Sequence, residues 1–142
     1  MVYDFRHDLE RLLKLLGPKT PYIGGGVTAR ESDRIIVRWN AGELPYLLVH
    51  PAAVAHGLQL QEGNAQHVIW HSLTEDYELY DQLIRRLRRS GNKAKTVTSH
   101  RIVAVDTVDE LTLKRQSKKQ MTQDELNRAL QEYTLRRRRR RR

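Results

Sequence analysis

Apolar residues recur at helical spacing close to the start of the chain. Leu9, Leu12, Leu13 and Leu16 share one face of Arg6–Leu16, and Gly17-Pro18 stops that helix. The apolar run at 2–5 suits a short strand, as does 21–24, which runs into a turn at Gly24-Gly25-Gly26. Over 31–40 the period is helical again, with Ile35, Ile36 and Trp39 inward and Gly42 closing the element. Residues 44–49 and 66–71 are continuous apolar runs, the mark of strands buried on both faces. A helix follows over 74–89, with Thr74 as its cap, Tyr77 at the position a capping-box glutamate would fill, and Gly91-Asn92 as its stop. Residues 96–105 alternate and are rich in β-branched side chains, so they predict a strand. Residues 106–110 open a helical segment. The last helix, 122–135, has Thr122 as cap and Glu125 three residues on.

Strands that alternate with helices predict an α/β fold with a mainly parallel sheet flanked by helices and a C-terminal helical extension. Ligands of such sheets sit outside the carboxyl ends of the strands. The segment from His50 to Gln61, directly after the run at 44–49, is therefore where a site is expected.

Charge sharpens this picture. The 142-residue chain carries a formal +9, but residues 136–142 are all arginine; without them 19 basic residues face 17 acidic ones and the body is only +2. A block of like charge repels itself and predicts disorder. It would grip phosphate backbones without sequence preference through Arg136, Arg137, Arg138 and their neighbours, or be an incidental end. There is no cysteine, which excludes disulfides and thiolate metal sites. No run of about 18 apolar residues occurs, so no membrane span is expected, and the start of the chain does not read as a signal peptide. A cytoplasmic protein is the expectation.

The most specific chemistry lies in the helix over 74–89. At 100° per residue, Gln82, Arg86 and Arg89 fall within about 60° of one another. Leu73, Tyr77, Tyr80, Ile84 and Leu87 fall on the opposite, core-facing side. Two guanidinium groups aimed at one point suit phosphate oxygens. On an isolated helix the same pattern is a solvated basic face. No G-x-x-x-x-G-K-[ST] phosphate loop occurs; Gly17-Pro18-Lys19-Thr20 lacks the glycine spacing, and its proline removes an amide donor. The six histidines show no zinc-like spacing, no serine–histidine–acid arrangement is recognisable, and no metal site is expected.

These segments, in this order, resemble the second lobe of superfamily 2 helicases of the Swi/Snf type found in phage genomes. Ala52 to Leu60, reading A-A-V-A-H-G-L-Q-L after a buried strand, is similar to motif V. Tyr80 to Gly91, with Q-x-x-x-R-x-x-R and a closing glycine, is similar to motif VI. Val2 to Arg11 resembles the motif IV strand and helix. Trp39-Asn40-Ala41-Gly42 resembles the end of the helix before motif V, and Thr107-Val108-Asp109-Glu110 the start of a brace-like helix. The resemblance implies a RecA-like lobe over 1–120, a helix at 121–135 and a disordered tail at 136–142.

It further implies that Arg86 and Arg89 act on a nucleotide, with Gln82 and Gly57 beside it, and that His56, Leu58 and Gln59 contact DNA. ATP and magnesium would come only through a partner first lobe, and alone the chain would not turn over ATP. Departures from the family pattern are Ala53 for a serine, Ala55 for a glycine, Gln59 for an asparagine, Arg88 for a histidine and Asn92 for a glutamine. They leave open a second reading, a stand-alone module derived from such a lobe that binds nucleic acid or protein without catalysis.

Overall fold

The computed structural model describes residues 1–55, 57–63, 65–117, 128 and 130–133. They fall into two units, Met1–Ile102 and Val103–Arg142.

In the first unit, β1 (Tyr22–Ile23) pairs in parallel with β2 (Leu48–Val49), and β3 (His67–Trp70) in parallel with β4 (Thr98–Arg101). Val2 bridges in parallel to both Val49 and Trp70, which joins the two pairs into one sheet. The amide of Val2 reaches the Ile69 carbonyl at 2.7 Å, and the amide of His71 returns to the Val2 carbonyl at 2.9 Å. The apolar run at 2–5 therefore contributes a central bridge rather than a full strand. The run at 44–49 contributes only its last two residues to pairing. Leu44 and Leu47 are nevertheless buried, so the run is apolar because it is core.

Side chains alternate across the sheet. Tyr3 and Leu48 face α1 (Arg6–Leu16) and pack with Leu9 and Leu12. Gly17 ends α1 at φ 111°, its amide returning to the Leu13 carbonyl at 3.0 Å. On the opposite face lie Val68 and Trp70, and Trp70 meets Tyr80 of α4 (Tyr77–Leu87) at 4.8 Å between ring centroids. Trp70 and Leu48 are fully buried, and each such side chain contributes about 1.5–3 kcal/mol through area removed from water. Helices thus cover both faces of a parallel sheet, the α/β architecture expected.

The remaining elements of this unit are α2 (Ala29–Asn40), α3 (Pro51–Ala55) and a 3₁₀ turn at Gln61–Gly63. The Thr28 hydroxyl accepts from the Glu31 amide and starts α2 two residues earlier than its apolar period suggests. In the second unit, α5 (Val108–Ser117) begins in a knot of side-chain-to-backbone bonds. Thr107 Oγ1 accepts from the Asp109 amide, and the Asp109 carboxylate from the Ala104 amide. The Glu110 carboxylate accepts from the Asp106 amide, and the Tyr133 hydroxyl donates to the Asp106 carbonyl. Most of the helix expected over 122–135, and all of 136–142, lie outside the described residues. No described helix is long and apolar enough to cross a membrane.

Candidate functional site

Two loops at the ends of α3 and α4 hold most of the residues singled out by sequence. The first runs from α3 to the 3₁₀ turn. Gly57 sits at φ 94°, a conformation that favours glycine, and its amide donates to the Val54 carbonyl. Leu58 is half-buried and Gln59 exposed; His56 lies outside the described residues.

This loop is held from behind by the last two residues of α2. The Trp39 indole N–H donates to the Leu60 carbonyl at 2.9 Å, and the Asn40 amide group donates to the Gln59 carbonyl at 2.9 Å. The W-N-A-G end of α2 thus fixes the backbone of the segment that follows β2.

The second loop is the C-terminal end of α4. Asp76, not Thr74, caps this helix: one carboxylate oxygen accepts from the amides of Glu78 and Leu79. Thr74 Oγ1 instead accepts from the Asp76 amide and holds the cap itself. The buried seam is Leu83, Ile84 and Leu87. Leu83 was missed by the sequence pattern, and Tyr77 and Tyr80 are only half-buried.

Gln82 and Arg86, four residues apart, do share a face of α4. The Gln82 amide group donates to Glu78 at 3.2 Å, and Arg86 is half-buried. Arg89 is not on the helix. α4 ends at Leu87 and Arg88 caps it, so the helical wheel that grouped Arg89 with the other two does not apply to it. Arg89 is exposed in the turn that follows.

Asn92 fixes that turn. Its side-chain amide donates to the Leu87 carbonyl at 2.8 Å and to the Ala65 carbonyl at 3.2 Å, and its oxygen accepts from the Ala94 amide at 2.9 Å. Gly91, at φ 113°, lies so near the 3₁₀ turn that an added β-carbon would stand 3.5 Å from Gln61 Cγ. The two loops, 30 residues apart in sequence, therefore adjoin at Gln61 and Gly91.

Beside this junction lies a groove of about 570 Å³ that includes Arg88, Arg89, Ser90, Asn92, Lys95 and Thr96. Its charged lining is wholly cationic. That suits phosphate oxygens. The carboxylates of Asp109 and Glu110 accept from the backbone amides of Ala104 and Asp106.

At the carboxyl end of the sheet, Asp4, Asp8, His50 and His71 come together, a set that spacing did not reveal. His50 Nε2 lies 3.0 Å from the Asp4 carbonyl, while its Nδ1 accepts from the Ala52 amide at the start of α3. Asp8 is buried, with Nε2 of His7 at 3.3 Å and of His71 at 3.8 Å. Burial pushes the Asp4 carboxyl above its ordinary range; His50 opposes that shift, and Glu75, Asp8 and Asp76 add to it.

Comparison with known proteins identifies the family and the fold. The chain is 37% identical over 134 residues to protein p41 of Acyrthosiphon pisum secondary endosymbiont phage 1, covering 92% of this chain and 27% of p41. It thus spans about a quarter of that relative's length. The fold is similar to the crystal structure of the C-terminal part of the Fun30 ATPase domain, with a TM-score of 0.64 and 18% identity, over 87% of this chain and 40% of that one. It is also similar to the E. coli DEAD-box protein SrmB, solved bound to the regulator of ribonuclease activity A. There the TM-score is 0.62 and the identity 20%, over 88% of this chain and 74% of that one. Residues 1–91, from the Val2 bridge through the turn after α4, match the helicase conserved C-terminal domain, and the chain belongs to that family.

Proposed function

We propose that the chain is the second lobe of an ATP-dependent DNA translocase or helicase of Swi/Snf type, with a phage-type origin. In this reading Arg86 and Arg89 reach the terminal phosphate of a nucleotide that a first lobe holds. Gln82 and Gly57 line the same cleft, and the loop of His56, Leu58 and Gln59 contacts the DNA strand. ATP and magnesium are held by the first lobe, because no phosphate loop occurs in this sequence. Guanidinium groups spread the charge of a transferring phosphoryl group only when another surface positions it. Cytoplasmic DNA is the expected substrate, with Arg136, Arg137 and Arg138 adding affinity that carries no sequence preference.

The observation that carries this reading is the junction of the two loops. Gly91 against Gln61, and Asn92 bonded to Ala65, couple the turn that bears Arg89 to the loop expected to touch DNA. A DNA strand that shifts the first loop would shift the arginine with it. The test is a chimera in which this chain replaces the matched segment of p41. DNA-stimulated ATP hydrolysis by the chimera, and none by this chain alone, is the expected result. Turnover by the isolated chain that depends on one of its own residues would refute the assignment.

The alternative, a binding module without catalysis, is favoured by the side chains at 53, 55 and 59, where this chain departs from the family pattern. A chimera that binds DNA with undiminished affinity yet hydrolyses no ATP, while p41 does, would establish it.

A further inference from the structure

His67 and His100 stand 33 residues apart in sequence, yet Nδ1 of the first lies 3.0 Å from Nε2 of the second. Register places them together: in the parallel pairing of β3 with β4, His67 faces Thr98 and Ile69 faces His100. His67, Ile69, Thr98 and His100 therefore share one face of the sheet. Both rings are exposed, 5.2 Å apart between centroids and tilted at 43°. The neighbouring cation on β4, Arg101, points to the other face, where its guanidinium lies over Tyr80.

We propose that this pair is a two-point chelate for a late first-row divalent cation of the nickel, copper or zinc class. Two nitrogens at about 2.0–2.1 Å from one ion stand about 2.9 Å apart at a right angle and about 3.3 Å apart at a tetrahedral angle. The observed separation lies between the two. Neutral imidazoles select such ions over calcium and magnesium, which take oxygen. Among the described residues no third histidine, cysteine or carboxylate completes a cluster, so water fills the other positions.

Proton balance is simple. Without the ion, the two nitrogens share one proton in a hydrogen bond. Chelation needs both lone pairs, so that proton moves to the far nitrogen of its own ring, and none is released from the neutral pair. The ion then clasps β4 to β3, and stability rises with its concentration.

The test uses the full chain with nickel chloride as probe, followed by thermal melts. At about 100-fold excess over the dissociation constant, the melting temperature should rise by roughly 5–10 °C. His67→Asn and His100→Asn should each abolish most of that rise while melting normally without nickel. No rise in the wild type, or the same rise in both variants, overturns the proposal. Should a variant fail to fold, the imidazole NMR signals of the wild type decide. Paramagnetic broadening must reach His67 and His100 before His7, His50 and His71, and the reverse order overturns the proposal.

Discussion

Trp39 fills the space where a side chain on Gly63 would begin: a β-carbon there would stand 2.1 Å from the indole Nε1. The same nitrogen donates to the Leu60 carbonyl, so the ring cannot swing aside without losing that bond. Gly63→Ala should therefore cost about 1–3 kcal/mol through overpacking. Trp39→Phe removes the donor and should cost about 1–3 kcal/mol of its own. The double variant should be less unstable than the sum, because the smaller ring makes room. Urea denaturation of the four proteins measures this, and strict additivity would show that the indole is not what excludes a side chain at 63.

Asn92 gives a second structural prediction. Its side chain satisfies two carbonyls and one amide around the turn after α4. Asn92→Ala should lower stability by about 1–3 kcal/mol. Amide exchange should speed first at Ala94, whose donor loses its acceptor. Exchange that stays slow there would place the turn's rigidity elsewhere.

Asp4 makes stability depend on pH in an unusual direction. Burial raises its carboxyl pKa in the folded chain above the unfolded value. The folded state then binds more protons, so this residue's contribution to stability falls as pH rises through the carboxylate range and stays low above it. Asp4→Asn should be more stable than the wild type at pH 7. The gap should shrink as pH falls below the unfolded carboxyl's range, where both side chains are neutral. Melts from pH 3 to 7 check this, and a variant less stable at pH 7 would show that the His50 contact outweighs desolvation.

Much of this was legible from residue order, and the gaps have physical causes. The period of Leu9, Leu12, Leu13 and Leu16 gave α1 its observed bounds, because Gly17-Pro18 leaves no choice of stop. Strand ends were less legible. Apolar character marks burial, and Leu44 and Leu47 are buried without pairing. Residues 96–105 alternate, yet only Thr98–Arg101 pair, and Val105 is 78% exposed. At α4, Thr74 and Asp76 are both good caps, and only geometry shows that the threonine supports the aspartate. Helical spacing groups Arg89 with Gln82 and Arg86, but α4 ends at Leu87, whose carbonyl Asn92 takes. The junction of Gly91 with Gln61, and the meeting of His67 with His100, depend on tertiary approach and strand register, which spacing along the chain does not encode.

The tail gives a binding prediction that needs no structure. With the body near neutral, deletion of 136–142 should remove most of the affinity for duplex DNA at low salt, and flatten its dependence on salt concentration. Fluorescence anisotropy at several salt concentrations measures both. Unchanged affinity would point to a groove on the lobe, with Arg88, Arg89 and Lys95 the first residues to test.

In the proposed function, Arg86 and Arg89 serve a nucleotide across a cleft. The measurement is ATP turnover by the p41 chimera carrying Arg86→Ala or Arg89→Ala, with thermal melts alongside. Either variant should lose about 10³-fold or more in turnover. The exposed Arg89→Ala should change stability by no more than about 0.5 kcal/mol, and the half-buried Arg86→Ala by somewhat more. Variants that melt normally and hydrolyse ATP at the parent rate would rule out this role and reduce the two arginines to a solvated basic surface.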